Sequence, residues 1–312
     1  MIQVSGLTKQ YGTHPAVDHL SFTMETGQIH GFLGPNGAGK STTMNMITGC
    51  LAPTEGDVWL DGVNIFDEPE KIKGKIGYLP EIPPVYPEMT PREYLSFVAG
   101  LKGIPKKQIP EAVEEAMAAT HITDKQNRLI GNLSKGYRQR VGISQAILGK
   151  PEIVILDEPT VGLDPRQILQ IRALIKELGK HHTVILSSHI LSEIQAVCDH
   201  ITIIAGGKLI ACDSKANLEQ TYARSRLELA CKAEKAAVVA TLQPFFPESA
   251  LTFGQEGDYL TVQADCSQDA TLPEQVFSAF GAAGIPLHKL AMIEGSLEDL
   301  FLALTREGGS TT

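Results

Sequence analysis

Over the first two-thirds of the chain, short aliphatic and β-branched runs alternate with stretches whose apolar residues recur at helical spacing. Residues 29–33 form an apolar run followed at once by glycines, and 153–156, 183–186 and 201–204 are β-branched runs typical of strands buried on both faces. Between them, Ile168, Ile171, Leu174, Ile175 and Leu178 fall on one side of a helix predicted over 165–179. This βα alternation predicts a mostly parallel sheet covered by helices. Residues 91–127 differ. Thr90-Pro91-Arg92-Glu93 opens a helix, because proline suits the first helical turn. The helix breaks around 103–110 and resumes over 111–119, so a small helical insertion is expected within residues 83–127.

Near residue 220 the pattern restarts. A strand over 227–232, a helix over 234–242 and a hairpin of 250–254 with 259–264, turning at Glu256-Gly257-Asp258, are followed by a helix over 273–283 and a strand over 287–293. A last helix is expected over 296–305, where Leu297, Leu300, Phe301 and Leu304 form one apolar stripe, suited to core packing or to docking on a second protomer. The order β-α-β-β-α-β fits a small α+β domain on a ferredoxin-like plan. The expected domains are therefore 1–220 and 221–312, with a frayed tail at 308–312.

Composition narrows the function classes. Lys and Arg total 27 against 36 Asp and Glu, a net charge of −9, which argues against a nucleic-acid partner. No apolar run approaches the roughly 20 residues of a membrane-spanning helix. The first residues run directly into a strand-like stretch, which gives no sign of secretion. The five cysteines are widely spaced and form no C-x-x-C pair, so reduced thiols are expected.

The strongest chemical signal is Gly34-Pro35-Asn36-Gly37-Ala38-Gly39-Lys40-Ser41-Thr42, between a predicted strand and a helical run. Glycines let the backbone curl so that several N–H groups aim at one phosphate cluster, and the helix N-terminus adds a favourable dipole. In this pattern the lysine meets the β- and γ-phosphates of a nucleotide and the serine hydroxyl binds Mg²⁺. The run 153–156 then ends in two adjacent carboxylates, Asp157 and Glu158, at the sheet edge where ligands bind. Asp157 is placed to reach the Mg²⁺ shell, and Glu158 to orient or deprotonate a water attacking the γ-phosphate.

With these motifs in hand, residues 2–220 resemble the nucleotide-binding subunit of ABC transporters. The resemblance implies an α/β fold, a P-loop NTPase cassette with a helical insertion, and Mg²⁺-dependent ATP hydrolysis with ATP and Mg²⁺ as cofactors. It adds roles by position: Tyr11 stacks on adenine, Asn132 to Arg140 form the signature region, Gly162-Leu163-Asp164 the D-loop, and Ser188-His189 carries the switch histidine. Catalytic roles fall to Lys40, Glu158 and His189, and metal contacts to Ser41, Glu81 and Asp157. The family works as a head-to-tail homodimer. ATP is sandwiched between the Lys40 loop of one protomer and Ser134, Gly136 and Asp164 of the other. The insertion is where the family meets its membrane partner. The ending 294–305 resembles ATPase subunits of drug-exporter, gliding-type and related ABC-2 systems. This implies an ABC-2-type permease subunit as partner and a place on the inner face of the cell membrane.

Two positions depart from the family pattern. The commoner Leu-Ser-Gly-Gly-Gln is here Leu133-Ser134-Lys135-Gly136-Tyr137, which keeps Ser134 and Gly136 and alters the rim. Glu81 stands where glutamine is usual. A soluble ABC ATPase acting on ribosomes or DNA is the competing reading, disfavoured by a single cassette and the acidic charge. A module that holds ATP without hydrolysing it is disfavoured by Lys40, Asp157, Glu158 and His189.

Overall fold

The computed structural model describes residues 1–222, 225–266 and 271–293. They divide into two compact units, the first running to Lys215 and the second beginning at Ala216.

The first unit opens with two long antiparallel strands, β1 (Ile2–Tyr11) and β2 (His14–Met24). Next come β3 (Ile29–Leu33), α1 (Lys40–Ile47), β4 (Glu55–Leu60), β5 (Val63–Asn64), α2 (Pro69–Lys73) and β6 (Ile76–Leu79). The helical insertion supplies α3 (Pro91–Leu101) and α4 (Ile109–Ala119). Thr90 caps α3 in a reciprocal capping box with Glu93, satisfying two backbone donors at once. The unit closes with α5 (Lys135–Ile147), β7 (Ile153–Asp157), α6 (Pro165–Leu178), β8 (Thr183–Ser188), α7 (Leu191–Val197), β9 (His200–Ala205) and β10 (Lys208–Ser214).

Two sheets result. One has the order β10-β9-β3-β8-β7-β6; its members are parallel except β10, which pairs antiparallel at the edge. Every residue of β3, β7 and β8 is buried, as strands covered on both faces require. The other sheet, β2-β1-β4-β5, is antiparallel throughout. The sequence pattern leads to the parallel sheet only. The alternation that would reveal β1 as a strand of a separate sheet is interrupted by register shifts between Val4, Leu7 and Lys9, and a bulge of this kind turns side chains to the other face. One apolar core joins the two sheets through Met44, Met46 and Ile47 of α1, with Leu7, Val17 and Leu20 on one side and Phe32, Ile155 and Ile185 on the other.

In the second unit α8 (Lys215–Tyr222), which starts at the boundary, leads to β11 (Ser225–Cys231), α9 (Lys235–Leu242), β12 (Leu251–Glu256), β13 (Tyr259–Cys266), α10 (Leu272–Ala282) and β14 (Leu287–Ile293). The sheet order β12-β13-β11-β14, all antiparallel, is the ferredoxin-like arrangement. Leu227, Leu229 and Val262 of the sheet pack against Val238 and Leu242 of α9 and Val276 and Phe280 of α10. The expected hairpin closes between Glu256 and Tyr259, with Gly257 at φ 58° in the turn. The expected helix over 296–305 and its stripe lie outside the described residues. No described helix is long and apolar enough to cross a membrane, and the five cysteines are free.

Candidate active site

Parallel strands end on one side of their sheet. The C-terminal ends of β3, β6, β7 and β8 therefore deliver residues 34–39, Glu81, Glu158 and His189 to a common edge.

After β3 the chain makes the glycine-rich loop. Gly34 is pressed against the backbone, since a Cβ there would lie 2.6 Å from the Ile204 carbonyl oxygen. Gly39 has φ 97° and caps α1 without any side-chain acceptor, so the first N–H groups of the helix stay open toward an anion. The Ser41 and Thr42 hydroxyls make no hydrogen bond within the described residues. Lys40 runs back under the loop, 6% exposed. Its ammonium donates to the carbonyls of Gly34 at 2.8 Å and Pro35 at 3.2 Å, and lies 3.2 Å from Oε1 of Glu158.

Glu158 is the pivot of this edge. Its backbone is left-handed, φ 47°, a conformation costing a non-glycine residue about 1–2 kcal/mol. The turn brings a buried carboxylate back over the sheet edge, where Oε1 meets Lys40 and Oε2 accepts from Nδ1 of His189 at 2.9 Å. A carboxylate only accepts, so Nδ1 carries the proton. Ser187 holds the base of the turn. Its hydroxyl donates to Oδ1 of Asp157 and accepts the Glu158 backbone N–H at 2.9 Å. Half-buried Tyr78 on β6 donates to Oδ1 of Asn45 on α1 at 3.2 Å. Burial first, and the charge of Asp157 second, push its phenol above the ordinary value.

A second group of expected residues gathers elsewhere in the same unit. Ser134 caps α5, its hydroxyl accepting from Tyr137 N at 3.4 Å. Asp164 caps α6, with Oδ1 accepting from Gln167 N at 2.9 Å. Gly136 packs so close to Gln167 that a Cβ would come within 2.9 Å of its amide. The signature and the D-loop thus meet within one chain. Lys135, exposed, lays its ammonium over Gly162 of the D-loop, where any Cβ would collide with it. Tyr137 donates to Asp124 at 3.2 Å with Lys125 over its ring. Among the described residues no hydrogen bond or ion pair joins this group to Lys40 or Glu158.

Two expected residues are bonded to neither group among the described residues. Glu81 is exposed and makes no hydrogen bond or ion pair among the described residues. Tyr11, 54% exposed at the end of β1, has Lys9 5.6 Å from its ring centre. Sequence reasoning missed Ser187, Tyr78 and Asn45. A usable signal existed for the first: a strand buried along its whole length that ends in two serines must give both hydroxyls partners.

The family described as "ABC transporter" matches residues 17–161. The bacitracin transport ATP-binding protein of Bacillus licheniformis is 39% identical over 313 residues, covering 100% of this chain and 98% of that protein. The linearmycin resistance ATP-binding protein of Bacillus subtilis is 36% identical over 219 residues, 70% of each chain. Among solved structures, an ATP-binding subunit of an ABC transporter superposes with TM-score 0.64 at 28% identity, covering 71% of this chain and 93% of its own. A dimeric, post-hydrolysis ATP-binding cassette bound to ADP and Pi superposes with TM-score 0.63 at 25% identity, covering 69% of this chain and 98% of that one.

Proposed function

The chain belongs to the ATP-binding subunits of ABC transporters, which are ATPases, and on that premise we propose that it powers an ABC-2-type membrane exporter by closing as a head-to-tail homodimer on Mg²⁺–ATP. The observation that carries this reading is the separation of the site into two groups. Lys40, Glu158 and His189 are joined by hydrogen bonds and ion pairs at the sheet edge, while Ser134, Gly136 and Asp164 form their own cluster. Two copies arranged head to tail bring each group against the other's complement, with ATP between them.

Each residue then has a task. Residues 34–42 cradle the phosphates through backbone N–H groups, and Lys40 offers its charge to the β- and γ-phosphates. Glu158 takes a proton from the water that attacks the γ-phosphorus; the bond to the departing ADP oxygen breaks as the new P–O bond forms. His189 holds the Glu158 carboxylate in place, and Tyr11 stacks on adenine. From the partner protomer, Ser134 and the Gly136 N–H meet the γ-phosphate, and Asp164 lies beside them.

The donor chemistry fits Mg²⁺. Ser41 has a hydroxyl without a partner among the described residues, and the Asp157 carboxylate accepts from the Ser187 hydroxyl. No cluster of three His, Cys, Asp or Glu among the described residues could hold a metal alone. Few protein oxygens, completed by phosphate and water, is the habit of Mg²⁺. When bound it neutralises charge building on the β- and γ-phosphate oxygens; Glu81 is a further oxygen donor at this edge.

The full-length likeness to a protein of bacitracin transport supports an exporter, with the channel on a separate permease that holds this subunit at the inner face of the membrane. Glu158→Gln tests the core of the proposal. It should bind ATP, hydrolyse it at least ~100-fold more slowly, and accumulate as dimer in light scattering with ATP. A Glu158→Gln protein hydrolysing at the wild-type rate removes Glu158 as the base.

A further inference from the structure

One buried acid on α7 lies beside these groups and has no part in the chemistry above. Glu193 is 4% exposed, in the first turn of α7. Its partners are hydroxyls. Oε2 accepts from Thr160 Oγ1, two residues after Glu158, and from Ser188 Oγ, the residue before His189, at 3.2 Å. The Ser188 hydroxyl also accepts the Ile190 N–H at 3.0 Å, one residue past His189. Ser188 and Thr160 are themselves 0% and 5% exposed, so none of these bonds is shared with solvent. The Ser188 carbonyl accepts from Gly34 N at 3.3 Å, which extends the chain of contacts to the start of the phosphate loop. A buried carboxylate is costly unless it finds donors, and Oε2 of this one finds two, one from each of the segments at the ends of β7 and β8.

We infer that Glu193 is a positioning residue for ATP hydrolysis: its carboxylate clamps the segment after Glu158 to the segment bearing His189, so that base and histidine stay in register. The inference rests on the assignment of Glu158 and His189 above. Glu193 touches no reacting atom. It fixes the backbone on both sides of the Glu158–His189 hydrogen bond, and small displacements of positioned catalytic groups cost rate far more than binding.

Three full-length variants test it, with Glu158→Gln as reference. Glu193→Ala removes the acceptor and should lower kcat ~10-fold with the KM for ATP unchanged. Glu193→Gln keeps a carbonyl oxygen for both hydroxyls and should restore kcat to within about threefold of wild type. Thr160→Val is close in shape and should lower kcat several-fold alone, yet add nothing to Glu193→Ala, because both break the same link. If Glu193→Ala folds poorly, Glu193→Gln and Thr160→Val still decide the matter. A general structural role would move thermal stability, KM and kcat together and would not be rescued by glutamine. Wild-type kcat in Glu193→Ala, or additive losses in the double variant, overturns the inference. When that happens while Glu158→Gln is inactive, only the clamp is lost; an active Glu158→Gln removes the site assignment and the clamp with it.

Discussion

Lys40 and Ser134 serve one proposed reaction from opposite environments. Lys40 is buried, with its ammonium directed at two loop carbonyls and the carboxylate of Glu158. Ser134 is exposed, and its hydroxyl accepts one long bond from its own helix. The first region is complete within the fold: a hydrogen-bonded edge in which Lys40, Glu158, His189, Ser187 and Asp157 satisfy one another. The second region is held in shape by helix caps and by Gly136 against Gln167, and it presents its functional groups outward. A residue whose bonds close inside the protein contributes to stability and to chemistry together. A residue whose working partner lies outside the fold contributes mainly to chemistry, and mutation should separate the two cases.

The largest effect is expected from Lys40→Ala. It strips one half of a buried ion pair, leaves Glu158 with His189 alone, and should cost about 3 kcal/mol of stability as well as most of the affinity for ATP. Urea denaturation and ATP titration measure the two losses; unchanged stability would mean that the pair is not the buried contact described here. Next is Ser134→Ala. It should lower kcat by at least ~10-fold at saturating ATP, while the lost cap costs no more than about 1 kcal/mol. Equal losses of stability in the two variants would erase the contrast.

Glu81→Gln should have a smaller effect. On our proposal Glu81 offers Mg²⁺ a carboxylate oxygen where glutamine would offer an amide oxygen. The variant should keep substantial activity and need a few-fold more Mg²⁺ for half-maximal rate. Mg²⁺ curves that coincide would place Glu81 outside the metal's shell. The smallest change is expected from ending the chain near Ala223, which removes the ferredoxin-like sheet. Every nucleotide motif precedes that point, so a folded truncation should bind ATP with near-wild-type affinity. Complete loss of binding would contradict confining the chemistry to the first unit.

What could be read in advance divides along similar lines. Apolar runs mark the middle of β7 and β8 and most of β3, because a strand covered on both faces has few polar positions to confuse its pattern. In the second unit, β14 agrees with the sequence reading residue for residue at 287–293. The antiparallel sheet of β1, β2, β4 and β5 stayed hidden, since its alternation is half-buried, short or bulged. In the site, residues fixed by backbone needs were legible: the glycine loop and the acidic pair at a strand end. The links between them were not. Ser187 bridging Asp157 to Glu158, and Glu193 bridging Thr160 to Ser188, depend on strand neighbours roughly thirty residues apart in sequence, and no local spacing encodes them.

The central claim is that the two regions complete each other across a dimer. Mixing Lys40→Ala with Ser134→Ala protein tests it most directly. Each variant alone should be nearly inactive. A mixed dimer contains one site with both residues intact, so an equimolar mixture should recover about a quarter of the wild-type ATPase rate if subunits exchange at random. An equimolar mixture no more active than the average of the two variants, under conditions where subunit exchange is demonstrated, would show that Lys40 and Ser134 act within one chain and would contradict the account.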